Sequence, residues 1–257
     1  MTSLRNAVAF VTGGASGLGR ATVERLIKQG VRGVLAFDRS AFEPNELTRS
    51  NSDRLITFEG DVTSEDEVKQ ALKLVEKRFG RLDLAVNCAG VGFACRLYNG
   101  KKDVVHPLEI FNNVLQVNTL GTFNVNRLAS QLISRNEPES GLRGLLVNTA
   151  SIAAYDGQIG QTAYSASKGA IVGMTLPMAR DLSSLGIRVC TIAPGIFDTP
   201  MLASLPDQVR QSLAVSVPCP KRLGHTDEFG QMVLSIWENQ MLNGETIRLD
   251  GALRMQP

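Results

Sequence analysis

A chain of 257 residues, 43% hydrophobic and 20% charged, carries enough apolar content for one large core and too much for a disordered polymer. Its formal net charge of +2 lacks the basic excess of a nucleic-acid-binding domain. The four cysteines, Cys88, Cys95, Cys190 and Cys219, form no CxxC pair and have only His106 and His225 as companions, which argues against a zinc site and for free thiols in a reducing compartment.

The first strand pattern begins near Ala7, too early to leave room for a cleavable targeting segment, and no apolar run approaches the ~18 residues of a membrane span. A soluble intracellular protein is expected. Residues 7–12 read as a buried strand, followed by a glycine-rich turn and a helix with Val23, Leu26 and Ile27 on one face. Strands follow at 34–37 and 55–58. Ser64 and Glu67 then have capping-box spacing, and Val68, Ala71, Leu72, Val75 and Phe79 recur at helical period. A strand at 84–87 precedes a long helical stretch over 107–135, and further strands are expected at 145–149, 189–193 and 246–249. Pro177 lies inside the helix that begins near Tyr164 and should kink or break it. Short apolar strands alternating with amphipathic helices predict an α/β fold: a single-domain, doubly wound parallel sheet of Rossmann type over 1–257, with seven strands and helices on both faces. Stretches 95–106 and 198–224 lack periodicity and are expected to border the substrate.

In such sheets ligands sit beyond the carboxyl ends of the strands. The first strand ends in TGGASGLG, where Gly13, Ser16, Gly17, Leu18 and Gly19 make a turn that lets a pyrophosphate approach backbone N–H groups at a helix N-terminus. The spacing is GxxxGxG rather than the commoner GxGxxG. Asp38 ends the second strand, 19 residues after Gly19. A carboxylate there accepts hydrogen bonds from ribose hydroxyls and repels a 2′-phosphate, which points to NAD; the neighbouring Arg39 is the one group that could serve a phosphate instead. Asp61 and Val62 follow the third strand, where an adenine edge would lie, although a loop or cap carboxylate is an equal reading of Asp61. Asn87, Ala89 and Gly90 follow the fourth strand and keep the floor of the site open.

Ser151 lies just after the fifth strand, and 13 residues later Tyr164 and Lys168 share one helical face at i, i+4. A free phenol, with a pKa of ~10, is a poor base at neutral pH. A nearby ammonium is expected to lower that value, so that Tyr164 exchanges a proton with a substrate oxygen held by Ser151. Asp156 and Asp198 read as exposed loop carboxylates, and His106 and His225 have no evident catalytic partner.

These residues carry a resemblance. TGGASGLG, NCAG, VNTLGTF, the set of Ser151, Tyr164 and Lys168, and the pair Pro194-Gly195 resemble the short-chain dehydrogenase/reductase family along essentially the whole chain. CAGVGFACRLYNGKK and NGETIRLDGALRMQP are similar to a branch of it that acts on 3-hydroxyacyl-CoA. The resemblance implies that Asn118 holds a water relaying protons to Lys168, that Lys168 also binds the nicotinamide ribose, and that Gln161 orients substrate. It places Pro194, Ile196 and Thr199 at the nicotinamide end. It implies an NAD-dependent oxidoreductase that interconverts 3-hydroxyacyl-CoA and 3-oxoacyl-CoA, with hydroxysteroids as further substrates, in a mitochondrial homotetramer. In animals this branch also joins a mitochondrial tRNA-processing complex. Alternatives are an NADPH-dependent carbonyl reductase, against which Asp38 stands, and a scaffold for RNA processing, against which the intact serine, tyrosine and lysine stand. The apolar stretch 249–257 is expected to be buried between subunits. Arg96, Lys101 and Lys102 make residues 96–107 a basic rim, either solvated or facing CoA phosphates.

Overall fold

Every residue of the sequence VAFVT at 8–12 is buried, and the side chains alternate between two cores. Val8 and Phe10 join one, Ala9 and Val11 the other, as the two-residue period of a strand covered on both faces requires. The computed structural model describes residues 3–203 and 206–257, so Ser204 and Leu205 of the 198–224 stretch lie outside the described residues. Seven strands form the central sheet: β1 (Val8–Thr12), β2 (Gly33–Asp38), β3 (Leu55–Glu59), β4 (Leu84–Asn87), β7 (Gly144–Thr149), β8 (Ile187–Pro194) and β9 (Thr246–Leu249). Two short strands, β5 (Tyr98–Asn99) and β6 (Val104–Val105), pair separately as an antiparallel hairpin. The sheet order is β3-β2-β1-β4-β7-β8-β9, parallel throughout, and it reverses direction at β1 beside β4, where a doubly wound fold opens its ligand crevice. Each of the seven strands expected from the sequence is present.

One face is covered by α3 (Glu65–Phe79) and α5 (Thr122–Ile133), the other by α1 (Gly17–Lys28) and α9 (Thr226–Glu238). The remaining helices are α2 (Glu46–Ser50), α4 (Leu108–Leu115), α6 (Thr162–Asp181), α7 (Pro200–Ala203) and α8 (Asp207–Ser216). Burying several apolar side chains on each face, at roughly 1.5–3 kcal/mol apiece, drives the layered packing. Arg188, buried at the start of β8, donates to the carbonyls of Trp237, Asn239 and Leu242 and so closes the carboxyl end of α9. No helix among the described residues is long and apolar enough to cross a membrane.

Several local expectations change. The 95–106 stretch is the β5–β6 hairpin, and 198–224 carries α7 and α8. Their apolar residues are too few and too exposed to give a periodic signal. Pro177 neither ends nor splits α6, which is helical over 20 residues. Gly173, four residues back, is exposed, and a Cβ built there would meet nothing within 4 Å. Only half of the capping box forms: Ser64 Oγ accepts from Glu67 N–H at 3.3 Å, while the Glu67 carboxylate takes Asp61 N–H at 2.6 Å. Within 249–257, Leu253 packs against Ile152 and Val217 of its own chain, while Ala252, Arg254, Gln256 and Pro257 are exposed. An apolar terminal segment can be covered by loops of the same chain as well as by a partner.

Candidate active site

A cleft of about 890 Å3 opens at the carboxyl ends of β1, β2, β4, β7 and β8. At one end the chain leaves β1 in a turn that needs glycine. Gly13 and Gly17 have φ of +65° and +53°, and a Cβ on Gly19 would stand 2.1 Å from Gly13 O. A Cβ on Gly13 would stand 2.8 Å from Ala89 N, so the turn lies directly against the loop after β4. Thr12, which sequence reasoning did not single out, fixes that loop: its Oγ1 accepts from Cys88 N–H and Ala89 N–H, both at 3.2 Å. Ser16 is the N-cap of α1, yet its hydroxyl makes no cap hydrogen bond. The first turn of α1 therefore faces the cleft through Ser16, Gly17, Leu18 and Gly19 with no acidic side chain to compete for its N–H groups.

Asp38 lines the same end. Its Oδ2 accepts from Ala15 N–H and its Oδ1 from Ser40 N–H, both at 3.0 Å, which braces the carboxylate against the turn. Val62, Ala89 and Gly90 line the cleft as expected. Asp61 does not. Its Oδ1 holds Thr63 N–H and Oγ1 at 2.9 and 2.8 Å, and its Oδ2 lies 3.7 Å from Arg39 Nε. This is the loop-carboxylate reading; Arg39, largely exposed, lines the cleft beside Asp38. Asn87 lies behind the floor, where its Nδ2 donates to Asn126 Oδ1 and Asn148 Oδ1 at 2.8 and 3.0 Å.

At the other end β7 delivers Ser151 and α6 delivers Tyr164 and Lys168. Ser151 Oγ accepts from Ala153 N–H at 3.1 Å, which fixes the side chain, and the hydroxyl is also hydrogen-bonded to Tyr164. Lys168 Nζ donates to Thr149 O at 2.8 Å and sits 5.8 Å from the centroid of the Tyr164 ring. The expected lowering of the phenol does not hold for the free chain. Burial raises Tyr164 above the usual phenol value, with the Ser151 hydrogen bond pulling the other way. Burial also brings Lys168 down to about 8. The spacing of the two residues was legible, but the depth of both groups was not. Cys88 beside them is pushed up to about 12 by burial and stays an uncharged thiol at neutral pH.

Asn118 lies in a π-helical segment, Gln116–Gly121, between α4 and α5. Its Nδ2 donates to Val91 O at 2.9 Å and Ser167 Oγ at 3.0 Å, and its Oδ1 accepts from Val91 N–H at 2.8 Å. It thus ties the loop after β4 to α6 beside Lys168 rather than lining the cleft itself. A Cβ on Gly90 would stand 3.2 Å from Asn118 Oδ1 and 3.5 Å from Lys168 Nζ, so Gly90 keeps the space between them clear. Gln161 lines the cleft with its Oε1 accepting from Gln158 N–H at 3.0 Å, and Pro194, Ile196 and Thr199 line it after β8. Phe93, Met201, Leu213 and Met255 complete an apolar wall that sequence reasoning missed. Asp198 is exposed as expected, paired with Arg210 at 3.1 Å, whereas Asp156 is shielded and pairs with Arg248 at 2.6 Å.

A nicotinamide dinucleotide fits this donor set. The glycine turn offers a cradle that a Cβ would fill, the α1 N-terminus suits a pyrophosphate, and Asp38 stands where a ribose would lie.

Comparison with known proteins agrees with the geometry. The family model described as short chain dehydrogenase matches residues 7–210. The 3-hydroxyacyl-CoA dehydrogenase type-2 of Drosophila melanogaster is 58% identical over 255 residues, covering 99% of this chain and 100% of that protein. The human protein of the same name is 54% identical, covering 99% and 98%. The crystal structure of 3-hydroxyacyl-CoA dehydrogenase type-2 from Mycobacterium avium superposes with a TM-score of 0.93 at 42% identity, over 99% of this chain and 98% of that one. With a sheet and a glycine turn of this kind, and a family model and full-length relatives that match, the chain belongs to the short-chain dehydrogenase family and is an oxidoreductase that works with a nicotinamide cofactor.

Proposed function

We propose that the chain interconverts a short 3-hydroxyacyl-CoA and its 3-oxoacyl-CoA with NAD as the cofactor, and accepts hydroxysteroids as secondary substrates. The observation that carries the reading is one cleft holding Ser151, Tyr164 and Lys168 at one end and the glycine turn with Asp38 at the other. The full-length likeness to relatives named for this activity supports the substrate class. Asp38 supports NAD: its braced carboxylate would accept hydrogen bonds from the ribose hydroxyls and repel a 2′-phosphate, while Arg39 beside it also lines the cleft.

The nicotinamide, when bound, supplies the hydride exchange. Gly13, Ser16, Gly17, Leu18 and Gly19 hold the pyrophosphate, Val62 and Ala89 border the adenosine side, and Gly90, Pro194, Ile196 and Thr199 border the nicotinamide side. Ser151 Oγ positions the substrate oxygen and Tyr164 Oη exchanges the proton with it. Lys168 Nζ, held by Thr149 O, stabilises the phenolate that remains when Tyr164 gives up its proton, and Asn118 fixes the loop and helix on either side of it. Gln161 orients the substrate. We further infer a mitochondrial homotetramer. Exposed apolar residues on α4, α5 and α6 and the segment between them, among them Leu108, Leu120, Phe123 and Leu176, support subunit contact.

The test is a kinetic panel with acetoacetyl-CoA and a hydroxysteroid, each run with NAD(H) and NADP(H). Acetoacetyl-CoA reduction with NADH should give the highest kcat/KM. A clear preference for NADPH, or for the steroid over every acyl-CoA, would overturn the reading.

A further inference from the structure

β9 is the last strand of the sheet, and Arg248 on it gathers the chain that follows. Its Nη2 donates to Asp156 Oδ2 at 2.6 Å and its Nη1 to Asp156 Oδ1 at 3.3 Å. Its Nε donates to Asp250 Oδ2 at 2.7 Å, Nη2 also reaches Leu253 O at 2.9 Å, and the guanidinium lies 5.3 Å from the centroid of the Tyr155 ring. All three guanidinium nitrogens are engaged. The Asp156 side chain is 15% exposed and the Arg248 side chain 21%, so the two-pronged pair is well shielded from solvent. Asp156 also accepts the backbone N–H of Met255. Two positions on, Gln158 Nε2 donates to Gln256 O at 2.8 Å, while Gln158 N–H goes to Gln161 Oε1. Leu253 packs between Ile152 and Val217. Residues 253–256 have no secondary structure, yet they are fastened at each of these points to the loop between Ser151 and Tyr164.

Met255 and Gln158 line the same cleft as Tyr164. Beyond its C3 oxygen an acyl chain has no polar handle and is recognised by the apolar length that fits. Phe93, Met201, Leu213 and Met255 supply the apolar wall, and Met255 is placed by an ion pair and side-chain hydrogen bonds that reach in from β9 and the loop after Ser151.

We propose that Met255 limits the length of acyl chain that the substrate end accepts, and that Arg248 and Asp156 are the positioning residues that hold it there. This rests on the reading of the chain as an acyl-CoA oxidoreductase. Arg248 and Asp156 touch neither substrate nor cofactor; they act through the backbone of Met255 and through the loop that carries Gln158 and Gln161.

The experiment measures kcat and KM for four-, eight- and twelve-carbon 3-oxoacyl-CoA with NADH on wild type, Met255→Ala, Arg248→Met, Arg248→Lys and Asp156→Asn. Met255→Ala should raise the eight-carbon to four-carbon ratio of kcat/KM by roughly 10-fold, since a few methylenes in an apolar pocket are worth that much. Arg248→Met and Asp156→Asn should move the ratio the same way, through KM, with the KM for NADH and the pH profile as in wild type. Arg248→Lys, which keeps the charge but loses the fork, should fall between. An unchanged ratio in Met255→Ala, in a variant whose thermal unfolding and KM for NADH match wild type, overturns the proposal; the backbone N–H that Asp156 accepts is kept. Equal losses at every chain length in Arg248→Met and Asp156→Asn, with KM for NADH raised too, overturn the positioning role. A wild type that reduces no acyl-CoA overturns the functional reading itself, a result distinct from a wild type that works beside variants that keep its chain-length order.

Discussion

The cofactor end of the cleft is made of backbone and of residues seated on strand ends, whereas the substrate end is made of side chains on segments the sheet does not hold. At the first, glycines at 13 and 19 allow contacts that no side chain could survive, Gly17 adopts a positive φ, and Thr12 and Asp38 stitch neighbouring loops through backbone N–H groups. At the second, Met201, Leu213 and Met255 come from α7, α8 and the stretch after β9. The contrast teaches which parts can vary. A pyrophosphate is a constant ligand and suits a fixed backbone cradle, while substrate choice can be retuned by changing side chains without disturbing the sheet.

The boundary between the two ends is Tyr164, and breaking it should give the largest effect. Tyr164→Phe removes the proton and the hydroxyl while keeping the ring, so turnover should fall by roughly 10²–10⁴-fold. Binding of the nicotinamide cofactor, followed by fluorescence or calorimetry, should persist. Near-native turnover with bound cofactor would remove Tyr164 from the chemistry.

Asp38→Ala probes the cofactor end alone. Losing a carboxylate that faces a ribose should cut the NAD over NADP preference by about 10-fold, the size of one charged hydrogen bond. Kinetics with both cofactors check it, and an unchanged ratio would assign the selection elsewhere. The side chain also braces Ala15 and Ser40, so KM for both cofactors should rise in addition to the change in ratio.

The smallest effect belongs to the hairpin. Lys101 and Lys102 are exposed, with their backbone N–H groups tied to Asn99 Oδ1 in the β5–β6 turn. If they meet the phosphates of coenzyme A, changing both to Met should lower kcat/KM for acyl-CoA by roughly 3-fold and leave a matched thioester without the nucleotide untouched, as screened surface charges allow. Equal losses on both substrates would point to a disturbed hairpin, and no loss to solvated lysines.

The same division explains what the sequence made legible. The central strands were readable because each is short, apolar and buried on both faces, and the glycine turn because sterics demand that residue. Ser151, Tyr164 and Lys168 were readable because strand end and helical period place them. The hairpin was hidden because its strands are two residues each and exposed. The Asp156–Arg248 pair was hidden because 92 positions separate its members and neither has a local signature. Asp61 and Asn87 follow strands as cofactor contacts often do, but a neighbouring Thr63 and a buried asparagine cluster claim them. The direction of the Tyr164 shift depends on burial, which a motif does not carry.

The most direct test of Tyr164 as the proton-exchanging group is the pH dependence of kcat/KM in both directions on one preparation. Burial holds the phenol protonated through neutral pH. Reduction needs the phenol, so its rate should hold through neutral pH and fall as pH rises. Oxidation needs the phenolate and should climb over the same range. Opposed limbs sharing one midpoint are the expected result. Limbs that run in parallel, or opposed limbs that survive unchanged in Tyr164→Phe, would contradict the assignment.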